Sequence, residues 1–258
     1  MTVLNDNDIE AEIVAGRLVK NADLKRLNGA CYELRLGDIY YDLTEDGARI
    51  ELQPGQRALI KPGHRVVLIT TEELETPDNV SVRIVSKGSL FSVGLSAVAT
   101  YADPGFSGNL GIVTQNISDK YIELPQGEPI AKAEFSVISG AATRLYSGQH
   151  GFQLGIWPIK THLQKTHAQV ADDARVQSEK DESLALLPEA TRSVIRRLEI
   201  NQQWTNIGLV IAIIINSLAI FLVQNKLIEG LTGVATSLVA AAIIAIGSLI
   251  LNFVRRNG

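Results

Sequence analysis

Between residues 30 and 140, apolar side chains recur at every second position in short runs, and each run is closed by turn-forming residues. Tyr32/Leu34/Leu36, Ala58/Ile60, Val66/Leu68, Val80/Val82/Ile84, Tyr121/Glu123 and Ala133/Phe135/Val137 mark strands. Pro54-Gly55, Pro62-Gly63, Pro77-Asp78 and Pro125-Gln126-Gly127 mark the turns between them. Alternation with period two puts one row of side chains on the core and the other towards solvent. Many short strands at this spacing predict a β-sandwich or jelly-roll. Ahead of them, polar Asn5-Asp6-Asn7-Asp8 followed by Ile9, Ile13 and Leu18 at helical spacing predicts an opening helix. No charged-then-apolar leader with a cleavage site is seen, so no signal peptide is expected.

The β region is organised around Ser86 to Asn116, which reads as strand, glycine-rich turn, strand, tight turn, strand. In Asp103-Pro104-Gly105, Pro104 fixes φ, Gly105 tolerates positive φ and the Asp103 side chain can bond its local backbone. After that turn, Leu110, Ile112 and Thr114 alternate with Gly111, Val113 and Gln115. Two glycine-bearing turns around one strand bring backbone N–H groups together, a common way to build an anion pocket. Two ordinary hairpin turns fit the same spacing.

Beyond the β region the pattern changes twice. Residues 160–183 are polar and read as a solvated helix or linker; His162 and His167, five apart, share no helical face and read as exposed rather than metal-binding. From Leu184, the residues Leu187, Thr191, Val194, Leu198 and Asn201 follow at spacings of three and four, with Pro188 near the helix start. This predicts a neck helix, as a short coiled coil or packed on the domain. Ile207 to Val223 is then 17 residues with one strongly polar member, Asn216, and Leu231 to Val254 is 24 residues without a charge. A bilayer core of about 30 Å takes roughly 20 apolar residues as helix, so a transmembrane hairpin is expected. Arg192, Arg196 and Arg197 before it and Arg255-Arg256 after it put both termini in the cytoplasm. Gly233, Ser237 and Ala241 recur every four residues and offer a close-packing helix face. Asn216, costly in hydrocarbon unless bonded or wetted, is read as inter-subunit glue or a pore-lining group.

Composition sharpens this division. The 258 residues carry a net charge of −4, which leaves no global basic footprint for duplex nucleic acid. The single cysteine excludes an intramolecular disulfide, and no Cys/His spacing resembles a zinc site, so no metal and no cofactor are expected. The expected boundaries are residues 1–158 for the β domain, 159–203 for linker and neck, and 204–256 for the hairpin.

Several blocks carry a resemblance. Ser86-Lys87-Gly88-Ser89-Leu90-Phe91-Ser92-Val93-Gly94-Leu95 and Asp103-Pro104-Gly105-Phe106-Ser107-Gly108 are joined by Ala30 to Gly37 (ACYELRLG), Leu52-Gln53-Pro54-Gly55 and Tyr146 to Gly151 (YSGQHG). In that order they resemble the dCTP deaminase branch of the dUTPase superfamily, over about the first 155 residues. The resemblance implies a mainly β, dUTPase-like distorted barrel or jelly-roll, followed here by a helical neck and two transmembrane helices. It implies a nucleotide site at the subunit interfaces of a homotrimer, with Lys87, Ser89, Ser92, Asp103, Tyr146 and Gln149 as ligand-binding residues. Two departures stand out. The family's general-base glutamate falls on Val113, which cannot carry a proton. The family's Arg-Ser-Ser-x-x-Arg block reads Lys87 to Ser92 here, so the bidentate guanidinium that suits phosphate is missing.

On this reading no residue is catalytic and the chain is not an enzyme. The expected function is a sensor–effector of the bacterial inner membrane. Its cytosolic β domain binds a nucleotide or short oligonucleotide, supplied by a partner enzyme, and controls a pore-forming or membrane-disrupting hairpin, by analogy with anti-phage effectors. The rivals are a membrane-tethered dCTP deaminase or dUTP pyrophosphatase using another base such as Asp103, and a passive oligomeric scaffold.

Overall fold

A computed structural model describes residues 1–148, 157–225 and 238. They divide into two units, Met1–Thr161 and His162–Gly258. The first unit holds β1 (Thr2–Val3), α1 (Asp6–Val14), β2 (Leu18–Lys20), β3 (Leu27–Asn28), β4 (Cys31–Asp42), β5 (Ala48–Glu51) and β6 (Arg57–Ile60). It continues with β7 (Arg65–Glu75), β8 (Val80–Ser86), the single-turn helix α2 (Gly88–Ser92), β9 (Ala99–Ala102), β10 (Ser107–Gln115), β11 (Ile122–Pro125) and β12 (Pro129–Val137). Every pairing is antiparallel, and the main sheet runs β10-β7-β4-β12-β8-β9. β11 pairs with β6 in a separate ribbon. The unit is mainly β with a strongly curled sheet, consistent with the dUTPase-like fold expected from the sequence.

The curl comes from β4. Its first half pairs with β12 through Tyr32–Arg35, its second with β7 and β5 through Tyr40–Asp42, and the register shifts between Leu36 and Tyr40. A register shift of this kind bends the strand and lets one chain segment serve two layers. The layers close on a core in which Tyr32, Leu34, Leu36, Ile60, Ile84 and Phe135 are fully buried. A carboxylate with no exposure lies among them. The Glu72 carboxylate, fully buried, accepts from Arg35 Nε at 2.5 Å, from the Arg35 backbone N–H at 2.8 Å and from the Tyr32 hydroxyl at 3.1 Å. Burial is the first cause, and the neighbouring carboxylate a further one, that pushes the Tyr32 hydroxyl up to about 12.

The structure departs from the sequence reading at three places. The opening helix is shorter than its apolar spacing indicates: Asn5 caps it by accepting from Asp8 N–H at 3.0 Å, and it ends before Gly16 at φ 76°. Leu18 therefore lies on β2, while Ile9 still reaches the core. The segment after Ser86 is a helical turn, α2, rather than a glycine turn. On β11 the core row is Ile122 and Leu124, so Tyr121 faces outward.

In the second unit the polar stretch forms α3 (His167–Val170) and α4 (Glu179–Ala185), with a break at Pro188 before α5 (Glu189–Gln224). A proline disfavours helix at the residue before it and starts the next one readily. Lys180 of α4 pairs with Glu199 of α5 at 2.8 Å, and Arg192 reaches back to the carbonyls of Ala185 and Leu187, which ties α4 to α5. α5 has 36 residues, so it is about 54 Å long. It runs unbroken from the expected neck into the first expected span, and it is long and apolar enough to cross a membrane. The second expected span, Leu231 to Val254, with Gly233, Ser237 and Ala241, lies outside the described residues.

Candidate functional site

The cleft that gathers the chemistry lies between the edge strand β9 and β10. It encloses about 460 Å³, within the usual range for small-molecule sites, and is lined by Thr100, Tyr101, Asp103, Phe106, Leu110, Gly111, Val113, Tyr146 and Trp157 among others. The turn at its mouth forms as its residues dictate. Gly105 sits at φ 86° and Phe106 N–H closes onto the Asp103 carbonyl at 3.0 Å. A Cβ at Gly105 would stand 2.9 Å from Leu145 Cβ, so glycine is needed both for the turn and for the segment that crosses it. That segment delivers Tyr146: its N–H donates to the Pro104 carbonyl at 2.8 Å and its ring meets Phe106 at a centroid distance of 5.3 Å.

A pinned irregularity sets which face of β10 meets the cleft. The β10–β7 register shifts between Asn109 and Gly111. Asn109 Nδ2 donates to the carbonyls of Thr70 at 2.9 Å and Glu72 at 3.1 Å, and Leu110 N–H donates to the Thr70 hydroxyl at 2.9 Å. Past the shift, Leu110, Ile112 and Thr114 point inward and Val113 is 44% exposed. Gly111 belongs to the outward row yet is buried, because Trp157 covers it.

The sequence-derived residues separate into two groups. Asp103 and Tyr146 share the cleft. Lys87 caps α2 and its ammonium is paired with Glu33 at 3.0 Å, beside a separate cavity of about 10 Å³. Ser89 and Ser92 are exposed on α2, with the Ser92 hydroxyl donated to the Ser89 carbonyl at 2.7 Å, and neither lines the cleft. Gln149 lies outside the described residues. Asn216 is half buried on α5. The anion pocket expected from backbone N–H groups is not assembled at the Asp103 turn, where Gly105 N–H donates to the Thr76 carbonyl at 2.9 Å and Phe106 N–H closes the turn.

Sequence reasoning did not single out Tyr101, within the Ser86 to Asn116 stretch, or Trp157, at the end of the arm that begins near Tyr146, as site residues. It also missed Asp42, Glu45 and His64, whose ligand atoms lie within 4.8 Å of one another. Their donors are engaged already: Asp42 sits 2.8 Å from His64 Nδ1 and accepts from the N–H groups of Thr44 and Glu45, and Glu45 pairs with Lys61. The cluster acts as a cross-link between the end of β4 and the start of β7.

Among the described residues lining the cleft, Asp103 is the one carboxylate, and Tyr101 and Tyr146 bring hydroxyls. The arrangement offers aromatic surface for a planar group, one anionic acceptor and a rim open to solvent. A family model described as dCTP deaminase-like matches residues 3–137. This chain belongs to the dCTP deaminase-like family. Among its dCTP deaminase-like relatives is the dUMP-forming dCTP deaminase of Clavibacter michiganensis subsp. michiganensis, 32% identical over 200 residues, or 69% of this chain and 100% of the relative. The corresponding protein of Dictyoglomus thermophilum is 28% identical over 169 residues, 58% of this chain and 87% of its own. The crystal structure of 2'-deoxycytidine 5'-triphosphate deaminase from Agrobacterium tumefaciens, 17% identical, overlaps 53% of this chain and 48% of that one with a TM-score of 0.47.

These relatives overturn the expectation that the chain is not an enzyme. They are named as dCTP deaminases, and the chain sits in that enzyme family. The expectation rested on one aligned side chain, Val113. The folded cleft holds other groups able to move a proton, the Asp103 carboxylate and the tyrosine hydroxyls.

Proposed function

We propose that this chain is a membrane-anchored nucleotide-binding protein whose cleft between β9 and β10 takes a pyrimidine nucleotide or a short oligonucleotide, and whose occupancy controls the apolar C-terminal part. The observation that carries the reading is the cleft itself, aromatic-walled, open and bearing Asp103, in a chain that also has a helix of membrane-crossing length. Control requires only that the ligand bind one packing state of the oligomer better than the other. In this reading the protein is a homotrimer in the bacterial inner membrane with the β domain on the cytosolic side. Lys87, Ser89 and Ser92 meet the ligand from a neighbouring subunit, Asn216 sits at the helix contacts, and a nucleotide-synthesising enzyme supplies the ligand. The architecture supports an effector role of the anti-phage kind by analogy alone. The test is calorimetry of the full chain in lipid nanodiscs with dCTP and dUTP, paired with ion leakage from vesicles containing it. Saturable binding with nucleotide-dependent leakage supports the reading; leakage indifferent to every nucleotide removes the coupling.

A second reading, favoured by the carboxylate in the cleft and the names of the relatives, is turnover at the same site. Asp103 takes a proton from water, the oxygen adds to the amino-bearing carbon of cytosine, and the carbon–nitrogen bond breaks as nitrogen gains a proton and leaves as ammonia. Incubation with dCTP decides it. A uracil nucleotide formed by the wild type and lost in Asp103→Asn supports the reading, and no product from the wild type rejects it.

A further inference from the structure

Trp157 lies beyond the Tyr146 to Gly151 block, towards the end of the same arm, and forms part of the cleft wall. Its side chain packs on the outer face of the sheet against Ile39, Tyr41, Val67 and Ile69, and its backbone N–H donates to the Tyr41 hydroxyl at 3.2 Å. Its seat is cut by Gly111: a Cβ there would run into Cζ3, Cη2 and Cε3, so the six-membered ring lies directly on the β10 backbone. Gly111 and Val113, two apart on one strand, share a face, and both border the cleft.

The glycine matters because it is not free. A glycine inside a strand forgoes side-chain packing and carries about 0.5–1 kcal/mol of extra chain entropy relative to alanine. A tryptophan serving only to cover apolar strand surface needs no such notch. The notch brings the ring down to backbone depth, on the floor shared with Val113 and across the cleft residues Tyr101 and Tyr146. Trp157 is half-buried, so part of this uncharged ring stays accessible at the cleft wall.

We propose that Trp157 is a ligand-contacting residue of this cleft, its indole stacking on the base of a bound pyrimidine nucleotide at a depth set by Gly111. The proposal rests on the reading of the cleft as a nucleotide site. Base–aromatic stacking changes affinity by roughly tenfold or more when the ring is removed. It tolerates exchange for another aromatic residue, because the interaction is with a π-face.

The chain has two tryptophans, so Trp204→Phe leaves Trp157 as the sole indole. In that background, titration with dCTP is expected to quench emission saturably, with the midpoint found by calorimetry. Trp157→Ala is expected to weaken dCTP binding roughly tenfold, and Trp157→Phe to retain most of it. Gly111→Ala is expected to weaken it by unseating the ring, with melting curves run on each variant to separate unfolding from lost contact. If calorimetry shows dCTP binding while indole emission stays constant and Trp157→Phe and Trp157→Ala bind as the wild type does, the stacking role is overturned and the nucleotide reading stands. If neither dCTP nor dUTP gives any heat with the wild type, both are overturned.

Discussion

The β unit and helix α5 use the same aliphatic side chains and treat them in opposite ways. Leu34, Leu36, Ile60 and Ile84 are fully buried, whereas Leu209, Ile213 and Ile214 are 56–61% exposed. In the strands, alternation gives each apolar row a facing row from the same chain, so burial is completed within the fold. In α5 an 18-residue window has a mean hydropathy of 2.2, and none of it is buried among the described residues. A helix that is apolar on all sides finds its solvent elsewhere, in a larger core or in hydrocarbon. Residue type alone therefore says little about burial; the period of the pattern tells which kind of environment completes it.

The largest expected effect comes from the ion pair that holds the fully buried Glu72. Arg35→Met leaves Glu72 buried without its cation, and breaking such a pair costs about 3–5 kcal/mol. Urea unfolding of the β unit is expected to show this as a lower midpoint at unchanged slope; a smaller loss than with an exposed pair such as Arg49–Glu51 would show that Glu72 is hydrated. Leu34→Ala is expected to cost about 2–5 kcal/mol by the cavity it leaves. The same substitution at Leu209 is expected to move β-unit unfolding by no more than about 0.5 kcal/mol. Equal losses at the two sites would erase the contrast between the regions.

Ile213→Arg attacks the other half of the comparison. Arginine at the middle of a membrane span disfavours insertion by about 2.5–3.5 kcal/mol. Alkaline extraction of membranes is expected to release this variant while the wild type sediments with lipid, with β-unit unfolding unchanged. A variant that sediments as the wild type does would mean that α5 is not what holds the chain to lipid.

What was legible in the sequence follows distance along the chain. Alternation and turn chemistry are local, so most strands, the Asp103 turn and the separation of Leu110, Ile112 and Thr114 from Gly111, Val113 and Gln115 were read directly from the residues. The motif resemblance carried Asp103 and Tyr146 to the cleft they share. Long-range pairings were not legible: Lys87 with Glu33 across 54 positions, His64 with Asp42 across 22, and Trp157 on Gly111. The first of these changes the site most, because a lysine read as ligand-binding is paired with a carboxylate of its own subunit, so a ligand reaching Lys87 has to share it with Glu33. Leu18 was misplaced because a single left-handed residue, Gly16, ends a helix that its apolar spacing would have continued.

The smallest effect is a dependence on alkaline pH that the β core is expected to show. The Tyr32 hydroxyl, ordinarily near 10, is pushed up to about 12 in the folded protein, first by burial and further by the adjoining Glu72 carboxylate. A group whose folded value exceeds its unfolded one binds its proton more tightly in the native state. Its contribution is complete below pH 10, where both states are protonated, and fades as pH rises towards 12, where only the unfolded chain has ionised. The full difference corresponds to at most about 2.7 kcal/mol. Denaturant midpoints measured across that window are expected to fall with pH in the wild type. In Tyr32→Phe the slope is expected to flatten, although the variant starts from lower stability because Glu72 and the Asp23 N–H each lose a hydrogen-bond partner. The slope, rather than the absolute stability, is what isolates this phenol: a variant that keeps the wild-type slope would move the alkaline loss to other groups, first among them the buried Tyr40 hydroxyl, which burial also pushes up.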